Sequence, residues 1–247
     1  DVYSAGGLGN NPKMGVKVAE AVEGDKILYY IKAMVNMFVA YGNYENRAKA
    51  RTRYMQDVLG DKYAEAFKEK LEEVMKEEAL DISAEAKEIT KKSDGVIVED
   101  KRVIAQKQEG LYAVEYHPIG GCPKPSKLKE IYEAMADMEQ TELRIGPDET
   151  VYIINCTGSE AKKLLEVTSD SADTVFESSV ACIGASICQV GVRDSQNLLK
   201  TLVDASKEWG FEDGVLPRIH ISGCPSSCGT HQIGRIGFRG GVKKADG

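Results

Sequence analysis

Two cysteine pairs limit what this chain can fold into more than any other feature. Cys182 and Cys188 lie in ACIGASIC, and Cys224 and Cys228 lie in SGCPSSCG, 35 residues further on. Thiolates are soft ligands, and four of them can enclose an iron–sulfur cluster or a zinc ion. Any fold that uses them so must bring two separated loops to one point. The spacings are C-x5-C and C-x3-C, without the C-x2-C knuckle common in zinc sites, which favours redox chemistry. Structural zinc, and buried cysteines acting as small apolar residues, remain the alternatives on spacing alone.

The surrounding residues suit a wrapped metal. Gly184 and Ala185 are small enough for the first loop to bend, and Gly223 lets the backbone approach before Cys224. Pro225 suits the first turn of a helix, and a helical turn over 224–228 would put Cys224 and Cys228 on one face.

The chain has 247 residues, enough for one large or two modest domains. Its apolar content of 42% and charged content of 29% are ordinary for a globular protein. The formal charge of −7 argues against nucleic-acid binding, which leaves a basic footprint. No apolar run approaches a membrane helix. The six cysteines are an even count, but a chain this large needs no disulfide staples, so reduced thiols and a cytoplasmic setting are expected. No signal peptide is evident, although DVYSAGGLG at the start reads like mid-strand and loop.

Periodicity yields a coarse map. GGLGNNPKMG (6–15) is a loop after a short strand. Helices are expected over 24–42, with Ile27, Ile31, Val35 and Phe38 inward; over Asn46–Leu59, carrying Arg47, Lys49, Arg51 and Arg53; and over 62–80, with Phe67, Leu71, Val74 and Met75 inward. Residues 81–104 read as a charged linker with a short strand at Val96–Val98. From about 105 to 178 the order is βαββαβ: strands 111–116, 141–145, 151–155 and 174–176, and helices 126–138 and from Ser159 as cap. That order is the one of a ferredoxin-like sandwich in an α+β protein. A helix over 194–209 with Leu198, Leu199, Leu202, Val203 and Trp209 inward, then a strand over Arg218–Ile221, deliver the chain to Cys224.

The pattern C-x5-C, then G-C-P-x-x-C-G and I-G-F, resembles the signature of the sirohaem-dependent nitrite and sulfite reductases. GGLGNNP followed by a helix and GNYENRAKARTRYMQDVLG is similar to the segment closing the first half of those enzymes, and 105–178 to their second ferredoxin-like half domain. The resemblance implies a ferredoxin-like module beside a sirohaem and [4Fe–4S] domain built from 1–80 and 179–247. It implies six-electron reduction of nitrite to ammonia or of sulfite to sulfide. It assigns Cys182, Cys188, Cys224 and Cys228 to the cluster, with Cys228 also bridging to the sirohaem iron. Sirohaem carries eight carboxylates, and Asn10, Asn11, Asn46, Arg47 and Arg51 lie in segments resembling its pocket, although a charge run is commonly a solvated helix face. His231, Arg235 and Arg239 follow the last cysteine and share that ambiguity. Cys122 and Cys156 fall outside the signature and are expected as plain thiols; His117 and His220 read as structural. The partners implied are a small inorganic anion and an electron donor such as ferredoxin or a flavoprotein.

Departures from the family matter as well. The first ferredoxin-like unit and the basic segment before GGLG are missing, as is a second Gly-rich loop after IGFRGG. A truncated piece, inactive alone, is therefore expected. The reading from another class is a zinc-stabilised, non-catalytic interaction module.

Overall fold

The computed structural model describes residues 1–85 and 88–243. The chain divides into two compact units, Asp1–Glu88 and Ile89–Gly247.

In the first unit, strands β1 (Val2–Ser4) and β2 (Val16–Ala19) pair antiparallel around the Gly-rich loop. Helix α1 (Ile27–Tyr41), short α2 (Met55–Leu59) and α3 (Tyr63–Glu77) follow. Their core joins Ala33 and Met37 of α1, Met55 of α2, and Tyr63, Phe67, Leu71 and Val74 of α3. The α3 face is therefore the expected one, except that Met75 is exposed.

The α1 face is not. Ile31 is 54% and Val35 51% exposed, and Ile27 also faces outward. The helix is apolar on most of its circumference, so a 3.6-residue period fits more than one face. Ala33 and Met37, and not Ile31 or Val35, join the buried cluster that holds Tyr63 and Phe67 of α3. The expected helix over Asn46–Leu59 is also broken. Two 3-10 turns, at Arg47–Lys49 and Thr52–Tyr54, precede α2. Asn46 caps the first turn by accepting from the Ala48 amide at 3.0 Å, which competes with a continuous helix.

The second unit opens with β3 (Val103–Ala105) and β4 (Tyr112–Tyr116), then α4 (Pro125–Met135), β5 (Glu142–Ile145), β6 (Val151–Cys156) and α5 (Gly158–Val167). The sheet order is β3-β4-β6-β5, antiparallel throughout. Val114, Tyr116 and Ile153 of the sheet, Ile131 of α4 and Leu164 of α5 share one core. This is the ferredoxin-like sandwich, with one difference in its wiring. The expected last strand at 174–176 is a bend and turn, and the edge beside β4 is filled by β3, from the preceding hairpin. Val96–Val98 forms no strand either.

The stretch read as a linker is tied down where it enters this unit. Asp94 accepts from the Gly158 and Ser159 amides at 3.2 and 2.9 Å at the start of α5. The N-cap itself is Thr157, in a capping box with Glu160, rather than Ser159. Lys91 Nζ, nearly buried, pairs with Glu160 at 2.5 Å.

A separate three-stranded parallel sheet completes the unit: β7 (Val180–Ala181), β8 (Ile219–Ser222) and β9 (Ile236–Arg239), in that order. Helix α6 (Ser195–Trp209) connects β7 to β8. Its Leu199 and Val203 pack on Ala181, Ile219 and Ile221. Leu198 and Trp209, expected inward, are exposed.

Candidate metal centre

Parallel strands set the geometry of the cysteine loops. β7 and β8 run side by side, so both chains leave the sheet at the same carboxyl edge, where ligands of α/β sheets commonly bind. Cys182 is the first residue past β7, and Cys224 the second past β8. The ladder runs on into the first loop, because the Cys182 amide donates to the Ile221 carbonyl at 3.0 Å.

The two loops then interlock. The Gly223 amide donates to Cys182 Sγ at 3.1 Å. The Gly223 carbonyl accepts from the Val192 and Arg193 amides at 3.1 and 2.9 Å, and the Ala185 amide donates to the Arg193 carbonyl. The Cys188 amide closes a turn on the Gly184 carbonyl at 2.8 Å. Two glycines make the approach possible. Gly184 has φ +71°, and a Cβ there would stand 2.8 Å from the Ser195 amide. A Cβ on Gly229 would lie 2.0 Å from the Ile221 carbonyl oxygen and 3.1 Å from the Cys182 nitrogen, so the residue after Cys228 lies against the strands that present Cys182.

Residues 224–228 are turns with Ser227 in the left-handed region at φ +64°, so the expected helical turn and its shared face are absent. Cys224 is buried, Cys182 and Cys188 half-buried, and Cys228 exposed. Among the described residues no disulfide forms. Nor do three His, Cys, Asp or Glu side chains gather there around a single ion. Soft donors on two interlocked, glycine-lined loops are of a kind that an iron–sulfur cluster takes as ligands.

Cys122 and Cys156 stand apart chemically. Burial pushes the Cys156 thiol up to about 12, and its Sγ donates to the Ile153 carbonyl at 3.3 Å. Burial and the neighbouring Glu149 raise Cys122. His117 and His220 each bond a threonine hydroxyl, Thr150 at 2.9 Å and Thr230 at 2.8 Å, in keeping with structural roles. His231 is half-buried, and its Nδ1 has no hydrogen-bond partner.

The Gly-rich loop of the first unit is a second candidate element. The Gly7 and Lys13 backbones bond each other at 3.0 and 2.9 Å, closing the loop at its base. The segment after the 3-10 turns then clasps it. Gln56 Nε2 donates to the Ala5 and Met14 carbonyls at 2.9 and 2.8 Å. Arg53 donates to the Leu8 carbonyl, and Asp57 pairs with Lys13. Asn11 donates to the Tyr54 hydroxyl at 3.1 Å. Asn10, Asn11, Asn46, Arg47 and Arg51 are all exposed. Asn11 thus joins the clasp, while Asn46 is engaged as a turn cap. Arg53 and Gln56 are the residues that sequence reading passed over. Arg53 stood in the same charge run as Arg47 and Arg51, and only the loop contact singles it out. Its Nε is buried without a hydrogen-bond partner.

Comparison with known proteins gives these loops a context. Residues 1–79 match the family described as nitrite and sulphite reductase 4Fe-4S domain. That stretch contains no cysteine; all six lie beyond it. Over 226 residues the chain is 30% identical to the chloroplastic ferredoxin–nitrite reductase of Spinacia oleracea, covering 89% of this chain and 37% of the relative. It is 26% identical to sulfite reductase [ferredoxin] 1 of Mycolicibacterium paratuberculosis, covering 97% and 43%. The structure of Mycobacterium tuberculosis NirA protein superposes with a TM-score of 0.72 at 25% identity, over 98% of this chain and 44% of that one. The chain therefore spans less than half the length of these relatives. Over most of its length it is similar to the nitrite and sulfite reductase family.

Proposed function

We propose that this chain carries the cluster and part of the sirohaem surroundings of a nitrite or sulfite reductase. Cys182, Cys188, Cys224 and Cys228 would ligate a [4Fe–4S] cluster, with Cys228 also reaching the sirohaem iron. The observation that carries the reading is the interlocking of the two cysteine loops at the shared end of β7 and β8, fastened by the Gly223 amide on Cys182 Sγ. When bound, the coupled centres supply single-electron relay to an anion held on iron. The chain's own task is to hold the four sulfurs and to exclude competing ligands. Exposed Cys228 suits the bridging role, since it alone of the four stands open at the surface.

The clasped loop 5–14, with Asn10, Asn11 and Arg53, supplies donors and charge suited to a polycarboxylate macrocycle. Asn46, Arg47 and Arg51 stay candidates for the same task. Ferredoxin is the proposed donor, because the relatives are named as ferredoxin-dependent. Nitrite and sulfite are both carried forward, since relatives of each kind match. The six-electron reaction is assigned to the whole protein, and a reducing compartment such as the cytoplasm suits its thiols. Among the described residues no helix is long and apolar enough to cross a membrane, and a charge of −7 disfavours nucleic acid.

The test is anaerobic reconstitution of the chain with ferrous iron and sulfide. About four iron and four acid-labile sulfide per chain, lost in Cys224→Ser, is the expected result. One zinc per chain without sulfide would instead establish the zinc-stabilised module.

A further inference from the structure

The sulfur of Cys182 meets two potential donors. One is the Gly223 amide, 3.1 Å from Sγ. The other is the Ser195 hydroxyl, 3.2 Å from the same sulfur. Ser195 is the first residue of α6, is 1% exposed, and is reached from the Asp194 cap, so its side chain has no access to water. Its Oγ also lies 2.6 Å from the Cys182 carbonyl. A hydroxyl has one proton, so it serves the carbonyl or the sulfur, not both.

The Cys182 carbonyl has a second potential donor. Gln196 Nε2 lies 3.2 Å from it, but its two N–H protons are shared with the closer carbonyls of Gly120 at 2.8 Å and Ala181 at 3.0 Å. Turning Ser195 to the sulfur therefore leaves the carbonyl this longer, shared contact, a cost that a bond to an anionic thiolate must exceed. An iron-bound sulfur carries no proton and accepts only, so in the loaded protein the hydroxyl gains most by donating to it. Gly184 leaves the space for this, since any Cβ there would stand 2.8 Å from Ser195 Oγ.

We propose that Ser195 is a tuning residue of the cluster: its hydroxyl donates to the Cys182 thiolate and favours the reduced state. This rests on the cluster reading given above. The reduced cluster bears one more negative charge, spread partly over its thiolates. A buried donor aimed at one of them stabilises that charge more than the oxidised state, and so raises the reduction potential. Gly223 and Ser195 both stand against Cys182 Sγ, so two donors are available to this thiolate when the added electron density reaches it.

The experiment uses the full 247-residue chain reconstituted with iron and sulfide, and an EPR-monitored redox titration. Ser195→Ala and Ser195→Gly both delete the donor; either one that folds carries the test. Both are expected to keep the wild-type iron and sulfide content. At the wild-type midpoint, where half of the clusters are reduced, the reduced share should fall several-fold. Ser195→Thr, which restores the hydroxyl, should return it. An unchanged potential in the Ala or Gly variant with a full cluster overturns the inference and leaves the cluster reading intact. A wild-type chain that takes up no cluster at all overturns both.

Discussion

At the scale of single residues, one amide in the clasp on the Gly-rich loop reaches two carbonyls. Gln56 spans both arms of the loop, so Gln56→Leu leaves two carbonyls without their donor. A loss on the order of 1–3 kcal/mol is expected, with faster hydrogen exchange at the Gly7 and Lys13 amides that close the loop. Unchanged exchange there would show that the loop holds itself. The cysteines separate just as sharply. Cys156 is buried and its thiol raised to about 12, so iodoacetamide at pH 8 should leave it unlabelled until the protein unfolds. The four signature cysteines stand out in the sequence, because a ligand pattern is written in residue types, and their role as ligands is the proposal above. Gln56, Arg53 and Ser195 do not stand out there as site residues. Their roles come from what lies across a turn, and a Gln or Ser in the chain carries no mark of that. Asn46 shows a second role that its residue type does not announce: its oxygen caps the next turn.

At the scale of elements, helix existence was legible and helix facing was not. α3 buries most of its expected stripe, Phe67, Leu71 and Val74, whereas α6 buries only Leu199 and Val203 of the five residues expected inward. α1 has apolar residues nearly all round, and only packing chose between faces. The ferredoxin-like sheet was legible from its alternating strands, but its edge strand was assigned to 174–176 instead of 103–105. Val-Ile-Ala between Arg102 and Gln106 is too short a run to announce a strand, and pairing with β4 is what makes it one. The cysteine loops depend on their glycines more than on any side chain. Gly229→Ala would drive a methyl into the Ile221 carbonyl, so β8 must shift. Lower thermal stability and failure to assemble a full cluster are expected, and wild-type cluster content in this variant would refute the proposed interlock. Asp94→Ala removes the acceptor for the first amides of α5. A cost of about 1 kcal/mol, by analogy with helix caps, is expected in urea unfolding.

At the scale of the whole molecule, buried titratable groups set opposing pH dependences. His117, His220 and His231 are all held below the usual imidazole value, chiefly by burial and then by Arg218 or Arg239. The unfolded chain therefore takes up their protons first, and stability falls as pH drops below about 6.5. Asp94 and Asp148 extend the loss further into acid. Burial opposes their charge, but backbone amides at Asp94 and Arg218 at Asp148 outweigh it and hold both below the ordinary carboxylate range. Glu149 runs the other way. Burial raises it to about 7, against the accepting contact from the Ala181 amide. Its charge costs stability above pH 7, and the cost fades as pH falls toward 4.5. Glu149→Gln should therefore raise the melting temperature at pH 8 and leave it nearly unchanged at pH 5. Equal shifts at both values would mean that the carboxylate is not the cause.

The edge strand has a consequence for how the protein is made. Because β3 precedes β4, every strand and helix of the four-stranded sandwich has been synthesised by Val167. The ribosome has by then produced none of the four signature cysteines, the first of which is Cys182. Domains fold as units during translation, N-terminal first. A folded platform would thus precede the thiols, and the cluster proposed for them would be assembled on a base that is already formed.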